Sequence, residues 1–153
     1  MKKNLLLLAA LFCAVIVFAQ AKPKPAQQPV VPQLTNILTG SGLPFKIIND
    51  SVAVIPYGGE NIASYDVVVQ KIGDLYIVYT NLSEDLPGKL DATKYKYLLQ
   101  QTDHFDIIKI GMDSDGVFYL RADVYKMGIS TAILTRVIKQ VANVTNIIGG
   151  DFK

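Results

Sequence analysis

Cysteine is nearly absent from this chain, and the one it has is badly placed to staple a fold. Cys13 lies in an apolar stretch close to the N-terminus, so no disulfide can form within the chain and stability must come from a packed core. Histidine is equally scarce. With His104 alone and no thiol in the folded part, a zinc ion would find only oxygen ligands besides that one imidazole, which argues against the usual zinc centres. Arginine occurs only as Arg121 and Arg136, and neither arginine nor lysine clusters. The basic footprint of a nucleic-acid-binding surface is therefore missing. No strong charge of either sign stands in its place: 15 basic residues face 13 acidic ones, and the excess is carried by Lys2 and Lys3.

What is present begins with residues 1–21. Lys2 and Lys3 precede an uncharged apolar run from Leu5 to Phe18, and Ala19-Gln20-Ala21 follows as a small-x-small site. This is the anatomy of a cleavable signal peptide. The run is shorter than the ~20 residues a membrane span usually needs, so removal is expected rather than retention as an anchor. Cys13 follows the bulky Phe12 inside that run, which departs from the small residue expected before a lipid-attachment cysteine. The mature protein is expected to start near Lys22, in a periplasmic or extracellular space, with no stable membrane span and a net charge near zero.

Residues 22–32 hold Pro23, Pro25, Pro29 and Pro32 among lysines and glutamines, the composition of an extended, solvated linker. Residues 33–148 carry the pattern of one α+β domain, large enough to bury a core, with 149–153 as a tail. Leu34, Ile37 and Leu38 have helical spacing and Gly40-Ser41-Gly42 closes that helix. Phe45 to Ile48 and Val52 to Ile55 flank the turn-prone Asn49-Asp50-Ser51, as a small hairpin or one bent strand. Tyr65 to Ile72 and Leu75 to Leu82 meet at Gly73-Asp74 in the strongest hairpin signal of the chain. After Pro87-Gly88, Asp91 caps a helix with Tyr95, Leu98, Leu99 and Thr102 on one face. A second hairpin joins Asp106 to Met112 with Val117 to Val124 through Asp113-Ser114-Asp115-Gly116. The last helix runs from about Ser130 to Ile148, with a stripe of Ile133, Val137, Val141, Val144 and Ile148 and a stop at Gly149-Gly150. Counting the bent segment once, the order is α-β-β-β-α-β-β-α around an antiparallel sheet.

Several of these features are similar to those of the YbjN-type domain, a relative of type III secretion chaperones. They are Gly42-Leu43-Pro44-Phe45 between first helix and strand, Tyr97-Leu98-Leu99 before Phe105, Ile108-Lys109-Ile110-Gly111 running through Asp115-Gly116 into Val117 to Leu120, and Leu120-Arg121-Ala122-Asp123 ahead of the final helix. The resemblance spans nearly all of 33–148. It implies a chaperone-like, protein-binding fold, often paired as homodimers, without a known active site. The chain departs from a typical secretion chaperone in its export signal and its lack of acidic excess.

Two clusters could carry chemistry. His104 lies between Asp103 and Asp106, and a histidine beside carboxylates can act as a general base, so a small envelope hydrolase or metal-dependent enzyme is the alternative function. No Gly-x-Ser-x-Gly elbow accompanies it, and such polar residues commonly cap a helix-to-strand junction. Asp113-Ser114-Asp115-Gly116 resembles the opening of a calcium loop, but Ala122 stands where a bidentate acid is needed, and the same residues make a good hairpin turn. Gly58-Gly59 and Gly149-Gly150 lack the setting of phosphate loops. The favoured expectation is a non-enzymatic exported module without cofactor or metal, binding a protein partner. Its candidate surface is a sheet face left bare by the helices, bearing Val68, Tyr76, Val78 and Tyr119, with the alternative that these tyrosines pack at the edges of the core.

Overall fold

Apolar spacing and turn chemistry set the first elements of the fold, seen here in a computed structural model that describes residues 33–82 and 91–151. The expected export signal (1–21), the proline-rich linker (22–32), Pro87-Gly88 and the acidic pair Glu84 and Asp85 lie outside the described residues. Helix α1 (Leu34–Ser41) buries Leu34, Ile37 and Leu38 and ends at Gly42, whose φ of 69° needs a residue without a side chain. Strands β1 (Lys46–Asn49) and β2 (Val52–Tyr57) follow as a hairpin. The segment counted as one bent strand is thus two. The Asn49 side chain causes this by accepting the Ser51 N–H at 2.9 Å, which folds the chain back within two residues. Four strands, not three, therefore precede the second helix.

Strands β3 (Tyr65–Ile72) and β4 (Leu75–Asn81) turn at Gly73-Asp74 as expected. Helix α2 (Ala92–Gln101) is capped by Asp91, whose carboxylate accepts the Lys94 N–H at 2.9 Å. Its inward face is narrower than the spacing suggested: Leu98 is buried and Tyr95 stacks on Phe118, but Leu99 is 60% exposed. A 3-10 turn (Thr102–His104) leads to β5 (Lys109–Met112), β6 (Phe118–Tyr125) and α3 (Thr131–Gly150). All six strands form one antiparallel sheet in the order β1-β2-β3-β4-β6-β5. The crossover after β4 carries α2 past β6 to the far edge.

Strand alternation then divides the sheet into two unlike faces. Ala53, Ile55, Val67, Val69, Tyr76, Val78, Leu120 and Ala122 share the buried one, together with Leu134, Ile138, Val141 and Ile148 of α3. Helix α3 lies against β3, β4 and β6 on that side, and α1 packs on α3. The Tyr65 hydroxyl donates to the Ala142 carbonyl at 2.8 Å, so the one polar group that β3 buries here is satisfied by the helix backbone.

Two details of α3 differ from the spacing argument. Its buried stripe starts at Leu134, while Ile133 is 50% exposed. Gly149-Gly150 does not stop the helix but forms its last turn, with Asp151 as the cap. The glycines serve close approach instead: a side chain on Gly149 would collide with Ile62, and one on Gly150 with Asn61. The loop between β2 and β3 is thereby drawn onto the helix. Asn146 completes the attachment, its side-chain oxygen accepting the N–H groups of Asn61 at 2.9 Å and Ile62 at 3.3 Å, while the Asn61 amide donates to the Asn146 carbonyl at 2.9 Å. Asn146→Ala strands the part-buried N–H groups of Asn61 and Ile62, while the Asn146 carbonyl keeps the Asn61 amide, and is expected to cost about 1–3 kcal/mol. The exposed neighbour Asn143→Ala should stay within about 0.5 kcal/mol of wild type in urea denaturation.

Candidate protein-docking face

The second face of the sheet carries the other parity of each strand. Across the strands, Lys46 stands opposite Val54, Val54 opposite Val68, Val68 opposite Tyr79, Tyr79 opposite Arg121, and Arg121 opposite Lys109. The next row is Val52, Gln70, Ile77 and Asp123, and beyond it Ile72, Leu75 and Tyr125. Asn81 and Tyr119 pair on the other side of the long row. Val54, Val68, Tyr79 and Tyr119 are half-buried by their neighbours alone, and Tyr125 is 75% exposed. Two shallow depressions share Tyr79 and Asn81: one of about 370 Å³ beside Asp66 and Val68, and one of about 320 Å³ beside Gln70, Tyr119 and Arg121. Among the described residues no helix crosses this face.

The charged groups on it are organised. Asp123 accepts from Arg121 Nε at 2.6 Å and from Lys109 Nζ at 3.1 Å. Burial pulls the Asp123 carboxyl upward, but the hydrogen bonds and charges of Arg121 and Lys109 outweigh it and hold the group below the usual carboxylate range. A lowered folded-state value means that this stabilisation is complete above the ordinary carboxylate pKa of about 4 and fades as pH falls through the folded value. Because all three groups touch solvent, the pair should be worth about 1 kcal/mol or less. Asp123→Asn is therefore expected to lose that amount at pH 7 and to converge with wild type in urea melts as pH falls through the lowered folded-state value of Asp123.

Of the four residues expected on a bare face, the structure places Val68 and Tyr119 there, while Tyr76 and Val78 are fully buried under α3. Strand β4 is apolar on both sides, so its phase is ambiguous from composition. Leu75, Ile77 and Tyr79 look like the core side, yet Tyr76, Val78 and Thr80 are the ones that meet the helix. The residues missed on the open face are Tyr79, Ile77, Arg121, Lys109 and Asp123. Stepping by two from Tyr119 would have found Arg121 and Asp123, and from Val68, Gln70. Tyr119 lies over Gly111, where any side chain would collide with its ring. The glycine thus lets an aromatic ring lie flat on the edge of the sheet.

The other candidate residues are not brought into a working constellation. Asp103, His104 and Asp106 are all exposed, at the 3-10 turn and the loop after it, and no hydrogen bond or ion pair joins them. His104 and Asp106 border an open hollow of about 230 Å³ against α3, whose other walls mix Phe105, Ile107, Ile108, Val144 and Ile147 with Gln140 and Asn143. Asp113 spends its carboxylate on its own turn, accepting the N–H groups of Asp115 at 3.0 Å and Val117 at 2.9 Å, with Gly116 at a φ of 81°. That is hairpin chemistry.

No family model matches the sequence, and no curated protein matches it either. Solved structures do match the backbone. A chain of the heterodimeric ExoU–SpcU complex, from the type III secretion system of Pseudomonas aeruginosa, aligns with a TM-score of 0.56 over 78% of this chain and 98% of that one, at 16% identity. YbjN from E. coli aligns with a TM-score of 0.52 over 80% of this chain and 92% of its own, at 11% identity. The chain has the YbjN-type, secretion-chaperone-like fold. Within that fold Gly42-Leu43-Pro44-Phe45 leads α1 into β1, Tyr97-Leu98-Leu99 lies in α2, and Leu120-Arg121-Ala122-Asp123 runs through β6 toward α3. Tyr97 also ties α2 to the end of α3, donating its hydroxyl to Asp151 at 2.6 Å. That bond pushes the Tyr97 pKa up to about 12, with burial and the Asp151 charge adding to it.

Proposed function

We propose that this chain is an exported, non-enzymatic protein-binding module that presents the open face of its sheet to a partner. The observation that carries the reading is the contrast between the two faces: one is sealed by α1 and α3, and the other leaves Val54, Val68, Tyr79 and Tyr119 half-covered beside exposed Ile72 and Tyr125. Apolar and aromatic surface of that kind, mixed with a few polar groups, is what partner docking uses. The likeness of fold to a chain of a heterodimeric secretion complex adds support for a protein ligand. Export rests on the sequence of residues 1–21, with periplasm or extracellular space as the destination.

The test is position-resolved photocrosslinking in the cell envelope. A photoreactive side chain at Val68 or Tyr119 should yield a discrete protein adduct, while one at Arg136, on the outward side of α3, should not. Equal labelling from all three positions, or none from the sheet, would sink the docking reading. N-terminal sequencing of the protein recovered from the envelope should begin near Lys22, and aspartates at Leu7 and Leu8 should leave an uncleaved precursor inside the cell. His104→Gln should leave the adduct unchanged.

A further inference from the structure

The long row on the open face has a charge pattern of its own. One residue from each strand lines up as Lys46, Val54, Val68, Tyr79, Arg121 and Lys109, with apolar and aromatic groups in the middle and cations at both ends. Strands lie about 4.8 Å apart, so the terminal cations are separated by about 24 Å. At one end Asp123 is a single carboxylate shared by two cations, Arg121 and Lys109, which leaves that end positive. At the other end Lys46 is exposed on β1, with Asp66 one row away beside Pro56. The carboxylate of Asp113, near the groove by Tyr119, is engaged by the backbone of its own turn.

Resting on the docking reading above, we infer that the occupant is an amphipathic α-helix of another protein, laid across the strands, apolar along its middle and acidic at both ends. The middle of a sheet face offers side chains and no free backbone groups, so an added strand could not be paired there, whereas a helix satisfies its own backbone. At 1.5 Å per residue, acidic groups about sixteen residues apart would reach the two cationic ends. Complementary charge at the ends fixes register and partner choice, while the apolar middle supplies burial. Neither the outward side of α3 nor the proline-rich linker of the chain itself carries that sign. The outward side of α3 bears Arg136 and Lys139, and the linker bears Lys22, Lys24 and four prolines.

Synthetic helical peptides test this directly. An alanine- and leucine-based peptide of about eighteen residues with glutamates at both ends would be compared by fluorescence anisotropy with a twin carrying lysines there. The purified protein is expected to bind the glutamate peptide at least about ten-fold more tightly, with the preference shrinking in high salt. In the doubly substituted Lys46→Glu, Lys109→Glu protein, checked for its fold by circular dichroism, the preference should invert. Equal affinity for the twins, no binding of either, or amide shifts centred on the outward side of α3 would each overturn the inference. If crosslinks from Val68 and Tyr119 still capture a protein in that event, only the acid-ended helix is lost and the docking face stands. If those crosslinks also fail, both fall together.

Discussion

Val141→Asp should abolish cooperative folding. Val141 is fully buried in the middle of α3, on the side that packs against β3, β4 and β6. A carboxylate introduced there has no cation to meet among the described buried residues, which are apolar apart from Thr80 and Thr145. It must either stay charged in an apolar layer or take up a proton at a large cost, and either route removes several kcal/mol. A domain of this size holds only about 5–15 kcal/mol in total, so most or all of it would be spent. Lys139→Asp, two residues away on the exposed side of the same helix, is the matched control and should melt within about 0.5 kcal/mol of wild type. Near-ultraviolet circular dichroism and urea titration separate the outcomes. A Val141→Asp protein with native spectra and an unshifted midpoint would mean that α3 is not the cover of the sheet.

That helix was among the most legible parts of the sequence, because a stripe at the helical period persists for many residues and overrides the strand preference of its valines and isoleucines. The start of the stripe was less legible: Ile133 and Leu134 are equally apolar, and only packing against the sheet decides that Leu134 faces inward. Hairpins were readable wherever a turn residue has a mechanism, as at Gly73-Asp74 and Asp113-Gly116. The β1–β2 turn was equally well marked by Asn49, but its flanking strands are short and β1 is exposed throughout, so no burial pattern announced two strands. Gly149-Gly150 misled for a physical reason. Glycine closes helices and also permits close approach, and the partners that distinguish the two roles, Asn61 and Ile62, are over eighty residues away in the chain. For the docking face the difficulty was phase, since a strand such as β4, apolar on both sides, cannot declare which side the helix will take.

The phase of β4 yields the second large prediction, which separates two tyrosines that composition does not distinguish. Tyr76 is fully buried beneath α3, opposite Val124, whereas Tyr119 lies half-exposed on the other face, opposite Asn81 and over Gly111. Removing a buried aromatic ring loses its burial and leaves a cavity that the sheet and helix cannot both close, so Tyr76→Ala should cost about 3–5 kcal/mol. Tyr119→Ala uncovers a glycine at the sheet edge and loses a partly wetted ring, a change of about 1 kcal/mol. The order should reverse for docking. Tyr119→Ala and Tyr79→Ala should weaken both the crosslink from Val68 and the binding of the acid-ended peptide, while Tyr76→Phe, which keeps the buried ring, should leave both intact. Urea midpoints combined with peptide titration give two independent axes on which each variant must fall. If Tyr119→Ala proves as destabilising as Tyr76→Ala, the face holding Tyr119 is closed in the folded protein and cannot serve as the docking surface.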